Sequence, residues 1–374
     1  MNEQVWLWGG TAAVVAVVAW WLMSRLQRPK RDAAPAVQPT ARAASEPIAP
    51  CATTSPQSTP ASPPAAREVS VSALQRVVAL ALDDAEAANA GAPDPAATQL
   101  LMGASQELAR IGSENRYTPS RPSLLPQLLE AISDEDASMR ALARIIAQDP
   151  ALTGDLLRTA NSALYRSSGT PVESIERAAA MLGTTGLRTL ISLSLVKPLA
   201  AGESGGASGR FGEMTWEHSI CSASAAEAWA ARAQDCDPFT AHLLGLMHGL
   251  GSVAVYRVMR DILSRQPAAH PAMLIAHALA TQGPVTARRI ASSWGLSERT
   301  QEALEAQSAA APALEVTPLA RALRFGRLAG AVAQLCRHGK MDEAQALHSL
   351  ASAGFDGPQV ERIWDRLVRA YVRP

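Results

Sequence analysis

Two histidines stand where chemistry could take place. His218 lies in TWEHSI and His248 in GLMHGLGS, the second among glycines, leucines and a methionine with no acid beside it. A neutral imidazole can bind a divalent metal, serve as a general base, or pack as a core side chain whose ring nitrogens find partners. The apolar setting of His248 favours the packed role, at a helix kink, with its nitrogens meeting backbone or His218. Gly245, Gly249 and Gly251 match neither GxGxxG nor GxxxxGK[ST], so they read as points of close helix approach rather than a phosphate loop. The other histidines are His242, His270, His277, His338 and His348; His242 and His248 are six positions apart, which puts them on different helix faces. No serine sits in a GxSxG elbow. The cysteines, Cys51, Cys221, Cys236 and Cys336, form no CxxC pair, suggest no zinc site and read as reduced thiols.

The elements that must position these groups are helical. Alanine and leucine dominate a chain that is 48% hydrophobic and only 4% aromatic, and both lose little freedom in a helix. Leu74, Val77, Val78 and Ala81 share one helical face, a Gly/Pro-rich break follows at 91–95, and 67–119 reads as a helical hairpin serving as spacer or dimerising stalk. Met139, Leu142, Ile145 and Ile146 form another apolar face. Asp149-Pro150 is an N-cap followed by proline at the first helical position, and that helix runs to the polar pair Asn161-Ser162. A helix from Ser174 ends at Gly183, a C-cap glycine, with Thr184 and Thr185 capping the next one. Residues 210–239 carry Trp216, His218 and Trp229 on a single helix. Residues 241–260 contain no Asp or Glu, so that helix belongs at the centre.

The ends differ in character. VWLWGGTAAVVAVVAWWLM carries no charge and, as a helix, spans roughly 28 Å, close to a bilayer's hydrocarbon core. Tryptophans flank it at both ends, and Arg25, Arg28, Lys30 and Arg31 follow it. That order suits an uncleaved transmembrane helix over 5–24, with the basic flank and the rest of the chain in the cytoplasm at the inner membrane, rather than a signal peptide. Residues 25–66 are rich in proline, alanine and serine and form a disordered linker, too poor in large aliphatics to offset its ordering entropy. At the other end, 321–374 reads as an amphipathic helical extension whose arginines form a solvated face. Lys+Arg and Asp+Glu are both 34, and this balance argues against a nucleic-acid partner. The helix-turn-helix look of MLGTTGLRTLISL is countered by Arg188 being its second helix's only charge.

AQDPALTGDLLRTANSALY, SIERAAAMLG, WEHS, HLLGLMHGLGSVAVY and ARRIASSWGLSERTQEAL occur in that order over 120–320. Together they resemble an HDOD domain, a helical relative of the HD metal-dependent phosphohydrolases. The resemblance implies an all-α, multi-helix HD-like bundle, here preceded by the transmembrane helix and linker. It places His218 at the family's first histidine and His248 at the second. The aspartate that follows the second histidine in active relatives is replaced by Gly249. Two imidazoles alone suit neither Mg²⁺ nor Zn²⁺, so no metal, cofactor or catalytic residue is expected. The resemblance implies a signalling or scaffold protein that binds partners, in bacterial circuits that include cyclic-dinucleotide signalling. Its candidate contact positions are Asp149, Pro150, Asn161, Ser162, Gly183, Trp216, His218, Gly245, His248, Gly249 and Gly251. The partner is a protein of a signalling pathway or a small regulator, and the chain could form a homodimer. The competing readings are a residual metal-dependent nucleotide phosphohydrolase, with carboxylates reaching the cleft from elsewhere, and a purely structural spacer.

Overall fold

Proline sets most of the helix starts in this chain. Its fixed φ and missing N–H suit the first helical turn, where the backbone donor has no partner in any case. The computed structural model describes residues 64–85, 88, 94–111, 117, 127–128, 131, 139–148, 150–162, 172–200, 206–233, 235–308 and 317–372. The helices are α1 (Pro64–Leu82), α2 (Pro95–Ala109), α3 (Met139–Ile146), α4 (Pro150–Ala160), α5 (Ile175–Ala200) and α6 (Gly206–Ala233). They continue with α7 (Pro238–Arg265), α8 (Pro271–Ser293), α9 (Glu298–Glu305), α10 (Pro318–Arg337), α11 (Glu343–Ser352) and α12 (Pro358–Leu367). A π-helical turn, Val368–Val372, follows α12. The described residues form no β-strand, and residues 62–374 make one unit. The transmembrane segment 5–24, most of the 25–66 linker, Cys51 and the Asp149 cap lie outside the described residues. No described helix is long and apolar enough to cross a membrane. The described cysteines, Cys221, Cys236 and Cys336, are free of disulfides.

Side-chain caps complete the proline starts. Asp94 accepts from the Ala97 N–H at 2.7 Å, Asp237 from Thr240 at 2.6 Å and Thr317 from Ala320 at 3.3 Å. The Asp237-Pro238 cap explains one departure from expectation. The helix carrying His218 stops at Ala233, and Phe239 belongs to α7. Gly183 has φ 63° and divides α5 into two helical segments, a conformation a Cβ would strain. Beyond that turn, the Arg188 guanidinium lies 5.0 Å from the centre of the Phe239 ring, packed within the fold.

α7 is the central helix. Every residue from Ala241 to Gly251 is buried, and α6 and α8 pack along its sides. Small residues allow backbone-close crossings. A Cβ on Gly245 would stand 2.6 Å from the backbone of Ala223 in α6, and one on Gly251 would stand 2.5 Å from the Gly283 carbonyl of α8. α7 runs through His248 without interruption, so the expected kink there is absent. α10 makes the most extensive packing, against α6. Below that contact Trp229, Phe325 and Phe355 form an aromatic cluster with ring centres 4.7 to 5.2 Å apart.

The two N-terminal helices pack on the body instead of standing off as a stalk. α1 begins at Pro64 rather than at residue 67 and lies against α6, α8 and α10; α2 lies against α7 and α8. Ala79 of α1 packs with Ala272 and Ala276 of α8, and Arg76 donates to the Lys340 carbonyl at 2.7 Å. Their alanine-rich faces are too flat to signal a partner in a sequence pattern, yet they fit closely against other alanines.

The DPALT…NSALY block owes its polar end to a clamp. Asn161 donates from Nδ2 to the Leu157 and Val172 carbonyls, each at 2.9 Å, and its Oδ1 accepts from the Val172 N–H at 2.7 Å. It thereby ties the end of α4 to the approach of α5. Ser162 donates to the Thr159 carbonyl at 2.7 Å.

The clamp makes a prediction. Asn161→Ala should destabilise the protein by about 2–3 kcal/mol, the loss of three hydrogen bonds, measured by urea denaturation. Overpacking makes another: Gly245→Ala should cost about 1–3 kcal/mol. Gly103→Ala, with nothing near its added methyl group, should stabilise α2 by about 0.5–1 kcal/mol.

Candidate functional site

The site begins where α6 and α10 cross. A Cβ on Gly330 would stand 2.6 Å from the Ser222 hydroxyl and 3.3 Å from the His218 carbonyl, and one on Gly326 would meet the Ser222 carbonyl and Ala226. At this separation the Arg327 carbonyl comes within 3.1 Å of His218 Nε2. A carbonyl can only accept, so Nε2 carries the proton and donates. The Ser222 hydroxyl lies 3.4 Å from the same nitrogen. Burial pushes the His218 pKa down to about 4, against the opposing pull of its hydrogen bond to Arg327; the ring is neutral at physiological pH.

His248 reaches the same place from α7. It is buried, and its Nε2 meets neither backbone nor His218, contrary to expectation. Burial first, then the charge of Arg327 and the neighbouring His218, holds its pKa well below the ordinary range.

Two arginines face these imidazoles from α10. Arg324 and Arg327 are each 9% exposed, which corrects the solvated-face reading for these two, while Arg362, Arg366 and Arg369 are exposed as that reading expects. Arg327 Nη1 donates to the Gln307 carbonyl and side-chain oxygen, both at 3.3 Å, while its Nε finds no acceptor. Burial and the nearby Arg324 charge bring its pKa down to about 9. Gln307 is held in turn by bonds from Nε2 to the Ala303 and Ala320 carbonyls, each 3.0 Å.

Together these groups form the polar side of a cavity of about 100 Å³. Apolar side chains also line it: Val71, Leu74 and Val78 of α1, Phe211 and Met214 of α6, and Leu279 of α8. No Asp or Glu is among its described lining residues, and no group of three or more His, Cys, Asp or Glu among the described residues is placed to hold a metal. An HD-type divalent metal does not fit this donor set. His218 Nε2 is already a donor, and two guanidiniums oppose a cation where carboxylates would be needed.

Of the described candidate contact positions singled out in the sequence, the fold brings His218 and His248 into the cavity and none of the others. Asn161 and Ser162 bond to nearby backbone, and Pro150 starts α4. Gly183 makes a turn, Trp216 is buried in α6, Gly245 and Gly251 serve helix crossings, and Gly249 is buried in α7. Sequence reasoning missed Arg324, Arg327, Gln307 and the α1 wall. A usable signal was present: 317–341 contains no acid, and Arg321, Arg324 and Arg327 recur every third position in a helix otherwise rich in alanine, glycine and leucine. That stretch has nothing of its own to neutralise those charges.

The family model described as HDOD domain matches residues 118–310. No curated protein sequence matches the chain. Among solved structures, the chain is similar to an HDOD domain protein of unknown function from Geobacter sulfurreducens, at 17% identity and a TM-score of 0.47 over 74% of this chain and 99% of that one. It is also similar to a provisionally assigned metal-dependent phosphohydrolase from Shewanella amazonensis, at 20% identity and a TM-score of 0.46 over 74% of this chain and 99% of that one. A response regulator from Methylococcus capsulatus, MmoQ, matches at 21% identity and a TM-score of 0.33 over 66% of this chain and 97% of that one. With the family model covering more than half of its length, the chain belongs to the HDOD domain family.

Proposed function

We propose that this HDOD protein is a non-catalytic signalling or scaffold module that works by binding a protein partner or a small regulator. In this reading residues 5–24 anchor it in the inner membrane, and the linker holds the helical body in the cytoplasm. One observation carries the non-catalytic part: His218 and His248 share their cavity with Arg324 and Arg327, and no carboxylate is among its described lining residues. Metal-dependent hydrolysis needs a bound cation to polarise phosphate and to lower the pKa of water. The described lining offers guanidiniums instead of the carboxylates that such a cation would need, which supports this reading.

The residual-phosphohydrolase alternative makes a different demand: metal held at His248 and turnover that depends on it. Full-length protein, purified and incubated with Mn²⁺, should retain substoichiometric metal by mass spectrometry. It should hydrolyse bis-p-nitrophenyl phosphate no faster than buffer. Stoichiometric metal and turnover, both lost in His248→Gln, would overturn the non-catalytic reading. Cell fractionation checks the anchor: the intact chain should sediment with membranes and resist alkaline extraction, and a chain lacking residues 1–31 should be released. An intact chain found in the soluble fraction would refute the tether.

The neutral imidazole also predicts a pH dependence. His218 has a folded pKa of about 4 against an ordinary 6.5. Between those values the unfolded chain takes up a proton that the folded chain refuses, so the stabilising contribution is complete above 6.5 and is lost as pH falls toward 4. Buried His248 acts in the same direction. The melting temperature should fall from pH 7 to pH 4.5, and His218→Gln, which cannot titrate, should fall less over the same range.

A further inference from the structure

The cavity has a polarity that its buried groups do not satisfy among themselves. Arg327 Nε is buried without an acceptor, and so is His248 Nε2 without a partner of any kind. A buried donor that meets neither water nor protein is costly, and a buried guanidinium facing no carboxylate more so. Both nitrogens belong to residues lining the same cavity, and Arg324 adds a second positive charge to that lining. The same lining includes Leu74, Val78, Phe211 and Met214, which offer apolar surface. The complement of such a chamber is a molecule with a negative head and an oily body.

We propose that the cavity is a receptor for a small amphipathic organic anion. Its carboxylate or phosphate head would seat on Arg327 and His248, and its apolar body would lie against α1 and α6. This inference rests on the reading of the site as a binding centre rather than a hydrolytic one. The guanidinium suits either head, because its planar N–H groups match paired oxygens. His248 joins as a donor by carrying its proton on Nε2, which needs no net charge on the ring. The apolar wall accounts for selectivity: inorganic phosphate has the head but gains nothing from Leu74 and Val78. The neutral alcohol of the same length has the body but leaves Arg327 Nε unsatisfied. Several lining residues belong to α1, so ligand occupancy bears directly on the helix that follows the linker in sequence.

The test uses the full chain in lipid nanodiscs, with hexanoate and hexyl phosphate as probes and hexan-1-ol, hexylammonium and inorganic phosphate as comparisons, read by calorimetric titration and thermal melting. At least one of the two anionic probes should bind and raise the melting temperature, and their relative affinities identify the head group. The alcohol and the amine should bind at least tenfold more weakly. Arg327→Met should lower anion affinity at least tenfold while leaving the apo melting temperature equal or higher, since it removes a buried unpaired charge; Arg327→Lys should retain part of the affinity. Leu74→Trp, which fills the apolar side, should weaken hexanoate binding without touching the charged side, and it serves as the test if Arg327→Met does not fold. Equal binding of alcohol and anion, anion binding indifferent to Arg327 or Leu74, or no binding of either anionic probe would overturn the proposal. Turnover of bis-p-nitrophenyl phosphate lost in His248→Gln is the separate outcome that defeats the non-catalytic reading, so the two failures are told apart.

Discussion

The α6–α10 crossing is the constraint on which the site depends. Gly326 and Gly330 let the α10 backbone come against Ser222 and Ala226 so closely that even a methyl group would collide. Only at that separation does the Arg327 carbonyl receive the His218 proton at 3.1 Å. The hydrogen bond in turn assigns the His218 tautomer and satisfies one of the two imidazoles at the cavity. It also sets where along α10 the Arg327 side chain departs, and therefore that its guanidinium enters the chamber above α7. A wider crossing would break the bond, free the imidazole and turn the arginine elsewhere. Gln334 reinforces the register farther along, donating to the Met214 carbonyl at 2.8 Å.

The charge at the cavity follows from this geometry. His218 of α6 and His248 of α7 come together at the cavity. Here Gly249 follows the second histidine, and α10 supplies guanidiniums to the same space. Desolvation then acts on every member in one direction: it holds both imidazoles neutral and lowers the arginine's affinity for its proton. Neutral rings beside buried cations make a donor-rich chamber. Among the described residues, the lining thus pairs two imidazoles with two guanidiniums and no carboxylate.

α1 also lines the chamber, through Val71, Leu74 and Val78. Its contacts are mostly aliphatic and alanine-sized, and they are reinforced by the bond from Arg76 to the Lys340 carbonyl. Such an interface is close-fitting but modest in area, because alanine side chains bury little surface each. α1, the first described helix, is thus also a wall of the cavity, and it meets there residues of α10, more than 200 positions later in the chain.

Much of this could be read along the chain. Proline starts, side-chain caps, the Gly183 turn and the apolar run of α7 are local: each depends on residues within a turn or two, and the backbone has few ways to answer them. The missing acid after His248 is equally visible, since it is a matter of residue identity. What the tertiary structure alone decided concerns groups far apart in sequence. The acid-free stretch around Arg324 and Arg327 marks them as unusual, but that they are buried is decided only where Gly326 and Gly330 meet α6, and nothing in the alanines of α1 tells a stalk from a wall until α8 is placed beside it. Helix formation is governed by neighbours in the chain. Burial of a charge is governed by neighbours in space, and those exist only once the helices have packed.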